Sequence, residues 1–170
     1  TALAESAARL ASPVRSVLDL GAGPGSAGWA AAALFEGLEL LTCLERDREF
    51  LALGRELAAA SPAAALRAAR WREADLAGEA ALEPHDLVVA GFSLGELEPG
   101  AARLLLARAL AAARLAVVVV EPGTPAGSSR LRGLRDLALA QGARTLAPCP
   151  HDRACPLAAP DWCHFAARVE

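Results

Sequence analysis

The chain contains no lysine, so all 17 of its basic residues are arginines. It also lacks a strong net charge, at −3, which excludes a global field that would draw in nucleic acid. The charge is uneven, because residues 1–121 carry 11 arginines against 16 acids and residues 122–170 carry six against four. Arginine suits bidentate contact with phosphate, but a GC-rich genome also produces such a composition.

Long apolar runs are absent too. No run approaches the ~20 residues that span a bilayer, and no signal segment opens the chain, so we expect no membrane association. The chain opens at Thr1 rather than Met and closes at Glu170, inside a predicted strand. We therefore expect residues 1–170 to be a single domain cut from a longer protein.

Cysteine is scarce, and three of the four cysteines fall within 15 residues: Cys149, Cys155 and Cys163. A disulfide framework is not expected in a chain in which 54% of the residues are hydrophobic and no signal of secretion is present. Clustered cysteines in such a chain indicate metal or redox chemistry. The fourth, Cys43, lies inside a predicted strand and is expected to be a small buried residue.

Apolar runs alternate with helical patterns along the chain. Short links between them predict parallel strands with right-handed crossovers, and hence a doubly wound, mostly parallel α/β sheet. An inserted cysteine loop at residues 147–163, here called the cysteine segment, would separate the last two strands. The predicted strands are 16–20, 38–44, 69–72, 86–90, 115–120, 144–147 and 164–169, and the predicted helices are 26–35, 48–59, 99–113 and 128–140.

A glycine-rich turn, DLGAGPG at residues 19–25, lies where the first strand becomes a helix. Glycine permits a sharp turn and close approach of a ligand, although an ordinary tight turn has the same composition. Glu45 follows the second strand and can accept the ribose hydroxyls of an adenosine ligand. Asp75 follows the third and can accept from the adenine amino group. Each acid alone could be a solvated loop residue, but the three features together favour an adenosine ligand.

The loop after the fourth strand reads GFSLGEL at residues 91–97. Phe92 can stack on adenine or on a target base, or it can be a core residue. Glu96 can act as a base or face solvent. No catalytic residue is identified.

These motifs resemble those of class I S-adenosylmethionine-dependent methyltransferases over residues 16–121. The resemblance implies a Rossmann-like fold in which Asp19, Gly21, Gly23, Gly25, Glu45, Asp75 and Phe92 bind S-adenosylmethionine. Methylation of a base amine in these enzymes typically uses an Asn/Asp-Pro-Pro-aromatic loop, which this chain lacks.

The C-terminal part carries a narrower resemblance through EPGTP at 121–125, APCPH at 147–151, CPL at 155–157 and DWCHF at 161–165. These runs are similar to a methyltransferase-like ribosome-assembly family of the mitochondrial small subunit and its bacterial relatives. The resemblance implies a four-iron (4Fe-4S) cluster on four cysteines, of which Cys149, Cys155 and Cys163 match three. The residues alone also allow zinc, with His151, Asp161, His164 or a residue beyond Glu170 as the fourth ligand.

Two functions stay open on the sequence. The first is an rRNA methyltransferase acting on the small ribosomal subunit. The second is a non-catalytic assembly factor that binds rRNA and small-subunit proteins, with cofactor and cluster as structural elements. A small-molecule methyltransferase is a third possibility. Five arginines of the positive C-terminal part would face phosphates: Arg130, Arg132, Arg135, Arg144 and Arg153. We expect the protein in the bacterial cytoplasm, or in the mitochondrial matrix of a eukaryote.

Overall fold

The computed structural model describes residues 2–78, 81–149, 151–157 and 160–163. Five parallel strands form one sheet in the order β3-β2-β1-β4-β5. The strands are β1 (Ser16–Leu20), β2 (Leu40–Glu45), β3 (Arg70–Glu73), β4 (His85–Gly91) and β5 (Ala113–Val120). The helices are α1 (Ala2–Ala7), α2 (Ser26–Leu34), α3 (Arg48–Ala59), α4 (Ala64–Arg67), α5 (Pro99–Ala112) and α6 (Pro125–Ala140), with a short 3-10 turn at Leu94–Glu96.

Strand β1 is central and buried along its whole length. Burial at every position, without alternation, suits a parallel sheet that is covered on both faces. Its Asp19 lies opposite Cys43 of β2 and Val89 of β4. The chain therefore leaves β1 toward β2 and later returns on the other side of β1, as β4. This reversal opens a crevice beyond the carboxyl ends of β1 and β4, where ligands bind in doubly wound sheets.

Two apolar cores cover the two faces of the sheet. One core joins the sheet to α1 through α4, with members such as Val17, Leu41 and Trp71. The other joins the sheet to α5 and α6 and includes Leu18 and Leu105. Because both faces are covered, only the strand ends and the loops that follow them are open to ligands.

The predicted doubly wound parallel sheet is confirmed, and its elements shift by only a few residues. Helix α6 begins at Pro125 rather than at 128, because the Thr124 side chain accepts from the Gly127 backbone N–H and caps the helix. The short helices α1 and α4 were not predicted. Within the described residues no helix is both long and apolar enough to cross a membrane.

The prediction of a strand at 144–147 is wrong. The backbone N–H of Thr145 donates to Oδ1 of Asp152 at 2.8 Å, so this stretch bonds to its own loop rather than to the sheet. The strand predicted at 164–169 lies outside the described residues. The described chain therefore has no strand after β5, and an insertion between two further strands is not confirmed.

Candidate functional site at the carboxyl edge of the sheet

The glycine turn adopts backbone angles that few other residues tolerate. Gly21, Gly23 and Gly25 have φ angles of 71°, 53° and 101°. The backbone N–H groups of Gly21 and Ala22 both donate to the carbonyl of Leu44, at 2.9 and 3.0 Å. The turn is therefore fixed against the end of β2, directly above the crevice.

The three glycines differ in what surrounds them. A Cβ atom on Gly21 would lie 2.5 Å from Cβ of Ser93, and one on Gly25 would lie 2.7 Å from Cη2 of Trp71. A Cβ atom on Gly23 would meet nothing within 4 Å. Gly21 and Gly25 are thus required by the packing of the protein itself, whereas Gly23 borders open space that a ligand can fill.

Glu45 ends β2 and reaches across to the glycine turn. Its Oε2 accepts from the backbone N–H of Gly23 at 2.8 Å, and its Oε1 accepts from those of Arg46 and Asp47 at 2.8 and 2.9 Å. An ionised carboxylate can accept about four hydrogen bonds. One position remains on this buried side chain, so holding two ribose hydroxyls requires Glu45 to release one backbone N–H.

Asp19 is a buried acid without a cationic partner. Its Oδ2 accepts from the backbone N–H of Gly28 at 3.3 Å. The pKa of Asp19 is raised from 3.8 to about 7. Burial is the largest cause, the hydrogen bond from Gly28 opposes it, and the charge of Glu45 adds to it. Burial and the charge of Asp19 also raise the pKa of the Cys43 thiol, and this residue is fully buried as expected. A ligand cation above the turn would favour the ionised form of Asp19.

Asp75 lies in the exposed loop after β3, and its Oδ1 accepts from the backbone N–H of Ala77 at 2.9 Å. The loop borders a cavity of about 200 Å³ whose apolar wall includes Leu44 and Leu76. Arg108 of α5 closes the other side and donates to the carbonyls of this loop. Asp75 therefore lies at the same sheet edge as Glu45. Of its two carboxylate oxygens, Oδ1 alone accepts a hydrogen bond from the described residues.

Phe92 follows β4 and is the one non-glycine residue among those described with a positive φ, at 59°. Its backbone N–H donates to the carbonyl of Val120 at 2.8 Å, and the residue is 59% exposed. Such a conformation is costly for a bulky residue, and it is common at functional sites. The exposed ring excludes the alternative that Phe92 is a core residue. The next residue, Ser93, is buried and packs against Gly21.

Glu121 lies directly after β5 and has a side chain only 1% exposed. Its Oε1 accepts from the backbone N–H of Gly95 at 3.0 Å, and its Oε2 accepts from Arg130 of α6 at 2.7 Å. Glu96, in the same turn as Gly95, is exposed and lies 3.7 Å from a guanidinium nitrogen of Arg46. The ion pair of Glu96 agrees with a solvent-facing acid better than with a positioned base.

A second cavity, of about 380 Å³, lies at the opposite, amino edge of the sheet. It is lined by the segment after α1 and the end of α2, including Leu10, Val14 and Phe35. Among the described residues that line this cavity, none has a titratable side chain.

Arginines of α6 hold the cysteine segment by its backbone. Arg135 donates to the carbonyls of His151 and Arg153, both at 2.9 Å, and Arg132 donates to that of Leu157 at 3.0 Å. These bonds attach the segment along the outer side of α6.

The end of the cysteine segment returns to the loop after β5. The indole Nε1 of Trp162 donates to the carbonyl of Gly123 at 3.2 Å. The backbone N–H of Cys163 donates to Oγ of Ser128 at 3.3 Å. The segment thus begins beyond the end of α6 and closes beside its first turn.

The whole chain, residues 1–170, matches the family described as "Mitochondrial small ribosomal subunit Rsm22". The chain belongs to this family. One Rsm22-like relative is the ribosome assembly protein METTL17, mitochondrial, of Homo sapiens, which is 30% identical over 166 residues. That match covers 89% of this chain and 36% of the relative. The Rsm22-family chain therefore spans about a third of the length of this curated relative.

Solved methyltransferases share the fold of this Rsm22-family chain. The glycopeptide N-methyltransferase MtfA, in complex with S-adenosylhomocysteine, is 28% identical over 67% of this chain and 48% of that chain, with a TM-score of 0.56. Its complex with S-adenosylmethionine gives 29% identity, 65% and 43% coverage and a TM-score of 0.53. The amino pentose methyltransferase CalS10 from Micromonospora echinaspora has the same fold, with a TM-score of 0.51. It is 21% identical, and the match covers 65% of this chain and 43% of that chain. The Rossmann-like class I methyltransferase fold is thereby confirmed.

The predicted metal ligands of the Rsm22-family chain are not brought together. Cys149 and Cys155 are half-buried and Cys163 is exposed. The described residues contain no group of three or more His, Cys, Asp or Glu side chains that could hold a metal ion. Of the fourth-ligand candidates, His164 lies outside the described residues, and Nδ1 of His151 is buried without a hydrogen-bond partner. The ligand set of Cys149, Cys155 and Cys163 therefore stays a prediction.

Three of the five arginines predicted to face phosphates make contacts within the protein instead. Arg130 pairs with the buried Glu121, and Arg132 and Arg135 hold the cysteine segment. These contacts reduce the number of guanidinium donors that remain for phosphate on this face.

Sequence reasoning missed the roles of Ser93, Gly95 and Glu121 at the sheet edge. The Glu121–Gly95 bond joins residues 26 positions apart. The only local signal was Glu121 itself, an acid directly after a buried strand, which is the same signal that identified Glu45.

Proposed function

We propose that this chain is the S-adenosylmethionine-binding part of a methyltransferase-like protein of the small ribosomal subunit. One observation carries the cofactor assignment: Gly23 faces open space within a turn whose other two glycines are closely packed. This space lies at the reversal of the sheet, beside a carboxylate already directed at the turn. Family membership and the methyltransferase complexes with cofactor support the same assignment.

The residues at the sheet edge suit the parts of this cofactor. The backbone of Gly21, Gly23 and Gly25 gives the amino-acid half room to approach. Glu45 and Asp75 stand at neighbouring strand ends, where they can accept from the ribose hydroxyls and the adenine amino group. When bound, S-adenosylmethionine supplies an electrophilic methyl group on a sulfonium.

Asp19 and Phe92 complete the proposed site. The buried carboxyl of Asp19 lies beneath the turn and, when ionised, attracts the cationic cofactor. The exposed ring of Phe92 offers an aromatic face for the adenine or for a target base. These two roles extend the glycine-turn assignment to the carboxyl ends of β1 and β4.

Methyl transfer can proceed by positioning alone, because the reactive group belongs to the cofactor. We propose small-subunit rRNA as the target. The ion pairing of Glu96 favours the second candidate, a non-catalytic assembly factor that binds rRNA and small-subunit proteins with the cofactor as a structural element. The relative's description as a ribosome assembly protein supports small-subunit partners in either case. The proposed location is the mitochondrial matrix of a eukaryote or the bacterial cytoplasm.

Cys149, Cys155 and Cys163 remain a predicted ligand set for an iron–sulfur cluster, with zinc as the alternative. The prediction requires the cysteine segment to rearrange, because the three thiols are separate in this structure. Anaerobic purification and metal analysis test it. Iron with sulfide supports the cluster, one zinc supports the alternative, and protein without metal contradicts both.

Calorimetric titration with S-adenosylmethionine tests the cofactor assignment. Gly23→Arg fills the open space without meeting a close neighbour at Cβ, so we expect it to fold and to lose binding. Gly37→Arg is the matched control, since that glycine also has open space around it and lies at the amino edge. Failure of the unaltered chain to bind, or equal binding by Gly23→Arg, contradicts the assignment.

Incubation of immature small subunits with methyl-labelled cofactor then separates the two candidate functions. Label that enters rRNA and disappears with Gly23→Arg supports the enzyme. Binding to the subunit without transfer of label supports the assembly factor. A small-molecule methyltransferase is expected to show no salt-dependent association with RNA.

A further inference from the structure

A buried ion pair stands behind the turn that follows β4. The carboxylate of Glu121 accepts from Arg130 at 2.7 Å and from the backbone N–H of Gly95 at 3.0 Å. The Glu121 side chain is 1% exposed and that of Arg130 is 34% exposed. Because the Glu121 side chain is buried, removal of either partner of the ion pair leaves the other group unmatched.

The turn at Leu94–Glu96 is packed between this ion pair and the glycine turn. A Cβ atom on Gly95 would lie 2.7 Å from Oε2 of Glu121 and 2.9 Å from a guanidinium nitrogen of Arg130. On the opposite side, Cβ of Ser93 occupies the position where Gly21 lacks a side chain. The turn therefore links the ion pair to the first glycine of the proposed cofactor site.

Leu94 anchors the turn in the apolar core, and Glu96 pairs with Arg46 at the surface, but few hydrogen bonds hold the backbone of the turn. Its own backbone bonds, from Glu96 to Ser93 and from Leu97 to Leu94, are both long at 3.3 Å. The bond to Glu121 is shorter and charge-assisted, which makes it the stronger contact. We infer that Glu121 and Arg130 are positioning residues for the cofactor site: they press the Leu94–Glu96 turn, and with it Ser93, against Gly21. This inference rests on the proposed function, because it concerns the same cofactor.

Affinity for S-adenosylhomocysteine, measured by calorimetry on the full chain, tests the inference. Glu121→Ala removes both bonds, and we expect roughly tenfold weaker binding, a change similar in size to the contribution of one charge-assisted hydrogen bond. Glu121→Gln keeps an acceptor for the Gly95 N–H and should restore most of the affinity. Arg130→Met should fall between the two, because the bond to Gly95 survives.

Amide hydrogen exchange at Gly95 gives a readout that a loss of overall stability would not produce. We expect faster exchange at Gly95 in Glu121→Ala, unchanged exchange in β1, and renewed protection when ligand is added. Arg114→Met is the matched control, since it breaks a partly exposed ion pair with Asp86 at the amino edge. It should change neither the affinity nor the exchange at Gly95.

The outcomes separate this inference from the function on which it rests. If the unaltered chain does not bind S-adenosylhomocysteine, the proposed function fails and the inference fails with it. If the unaltered chain binds the ligand, and both Glu121→Ala and Arg130→Met bind it as tightly as the unaltered chain does, the inference alone is overturned. Glu121→Ala could fail to fold. In that case the inference is overturned if Arg130→Met has the same affinity and the same exchange at Gly95 as the unaltered chain.

Discussion

The sheet edge and the cysteine segment are held by different kinds of contact. At the sheet edge, the backbone of the glycine turn bonds to the end of β2 above strands buried on both faces. The cysteine segment instead bonds to the side chains of Arg132 and Arg135, and no described residue of it is in a strand. Main-chain pairing and burial make the proposed cofactor site part of the cooperative core, whereas the described part of the segment depends on a few individual side-chain contacts.

We expect the largest effect on the free energy of unfolding from Asp19, which lies inside the core at the sheet edge. Between pH 4 and pH 7 the folded chain keeps a proton on Asp19 that the unfolded chain has lost, because burial raises its pKa from 3.8 to about 7. The free energy of unfolding should therefore fall as pH rises through this window, by up to about 4 kcal/mol for this group. Asp19→Asn removes that contribution, which guanidinium unfolding at pH 4.5 and pH 8 measures.

Asp86 provides the control for Asp19. Hydrogen bonds from the backbone of Arg15 and Ser16 and from the Ser16 hydroxyl lower the pKa of Asp86, and they outweigh the effect of its burial. Its contribution is lost only as pH falls below about 4, so Asp86→Asn should leave the pH dependence above 4.5 unchanged. A pH dependence in Asp19→Asn that equals that of the unaltered chain would contradict the burial argument.

Substitution within the glycine turn should have the next largest effect. Gly21→Ala combines a φ of 71° with a contact of 2.5 Å to Cβ of Ser93, and it should lower the free energy of unfolding by about 3 kcal/mol. Gly23→Ala carries only the conformational cost and should lower it by about 1 kcal/mol. Denaturant unfolding of both variants checks the difference, and equal losses would mean that the contact with Ser93 is unimportant.

A smaller and more local effect is expected in the cysteine segment. Arg135→Met removes the bonds to the carbonyls of His151 and Arg153, so the segment should be cut faster by limited proteolysis. The midpoint of unfolding of the sheet should change little, because the bonds lost lie outside the core. Arg144→Met, at an exposed arginine just before the segment, is the comparison. If Arg135→Met unfolds the whole domain, the segment is as integral as the sheet.

The smallest effect should have the opposite sign. Phe92→Asn replaces a bulky residue at positive φ with one that tolerates this conformation, and it should raise the free energy of unfolding by about 1 kcal/mol or less. Binding of cofactor or RNA should weaken in the same variant, if the exposed ring contacts a ligand. A gain in stability with unchanged binding would indicate that the ring contacts neither the cofactor nor RNA.

Local chemistry predicted most of the fold. Helix α3 has the predicted bounds, because the Asp47 side chain accepts from the backbone N–H groups of Glu49 and Phe50 and fixes where the helix begins. Helix α4, in contrast, is a single alanine-rich turn without an apolar period, and the burial of Leu66 fixes it in place. A pattern that is uniform in the sequence cannot show which residue the rest of the chain will cover.

The candidate site divides in the same way. Glu45 and Asp75 could be predicted because the carboxyl ends of parallel strands meet at one edge, so acids after successive strands become neighbours. The bond from Gly95 to Glu121 could not, because it depends on how a short turn and the end of β5 pack against α6. The predicted strand at 144–147 failed for the related reason that a strand needs a partner, and Asp152 accepts the Thr145 N–H instead.

The position of β3 at one end of the sheet affects how copies of this chain meet. An outermost strand presents unpaired main-chain groups to which another strand can add, and such additions lead to aggregation. In β3, Arg70, Arg72 and Glu73 are exposed, and only Trp71 is buried. Charges of both signs on a strand of four residues oppose edge-to-edge pairing, so neutral substitutions here should promote self-association at high concentration.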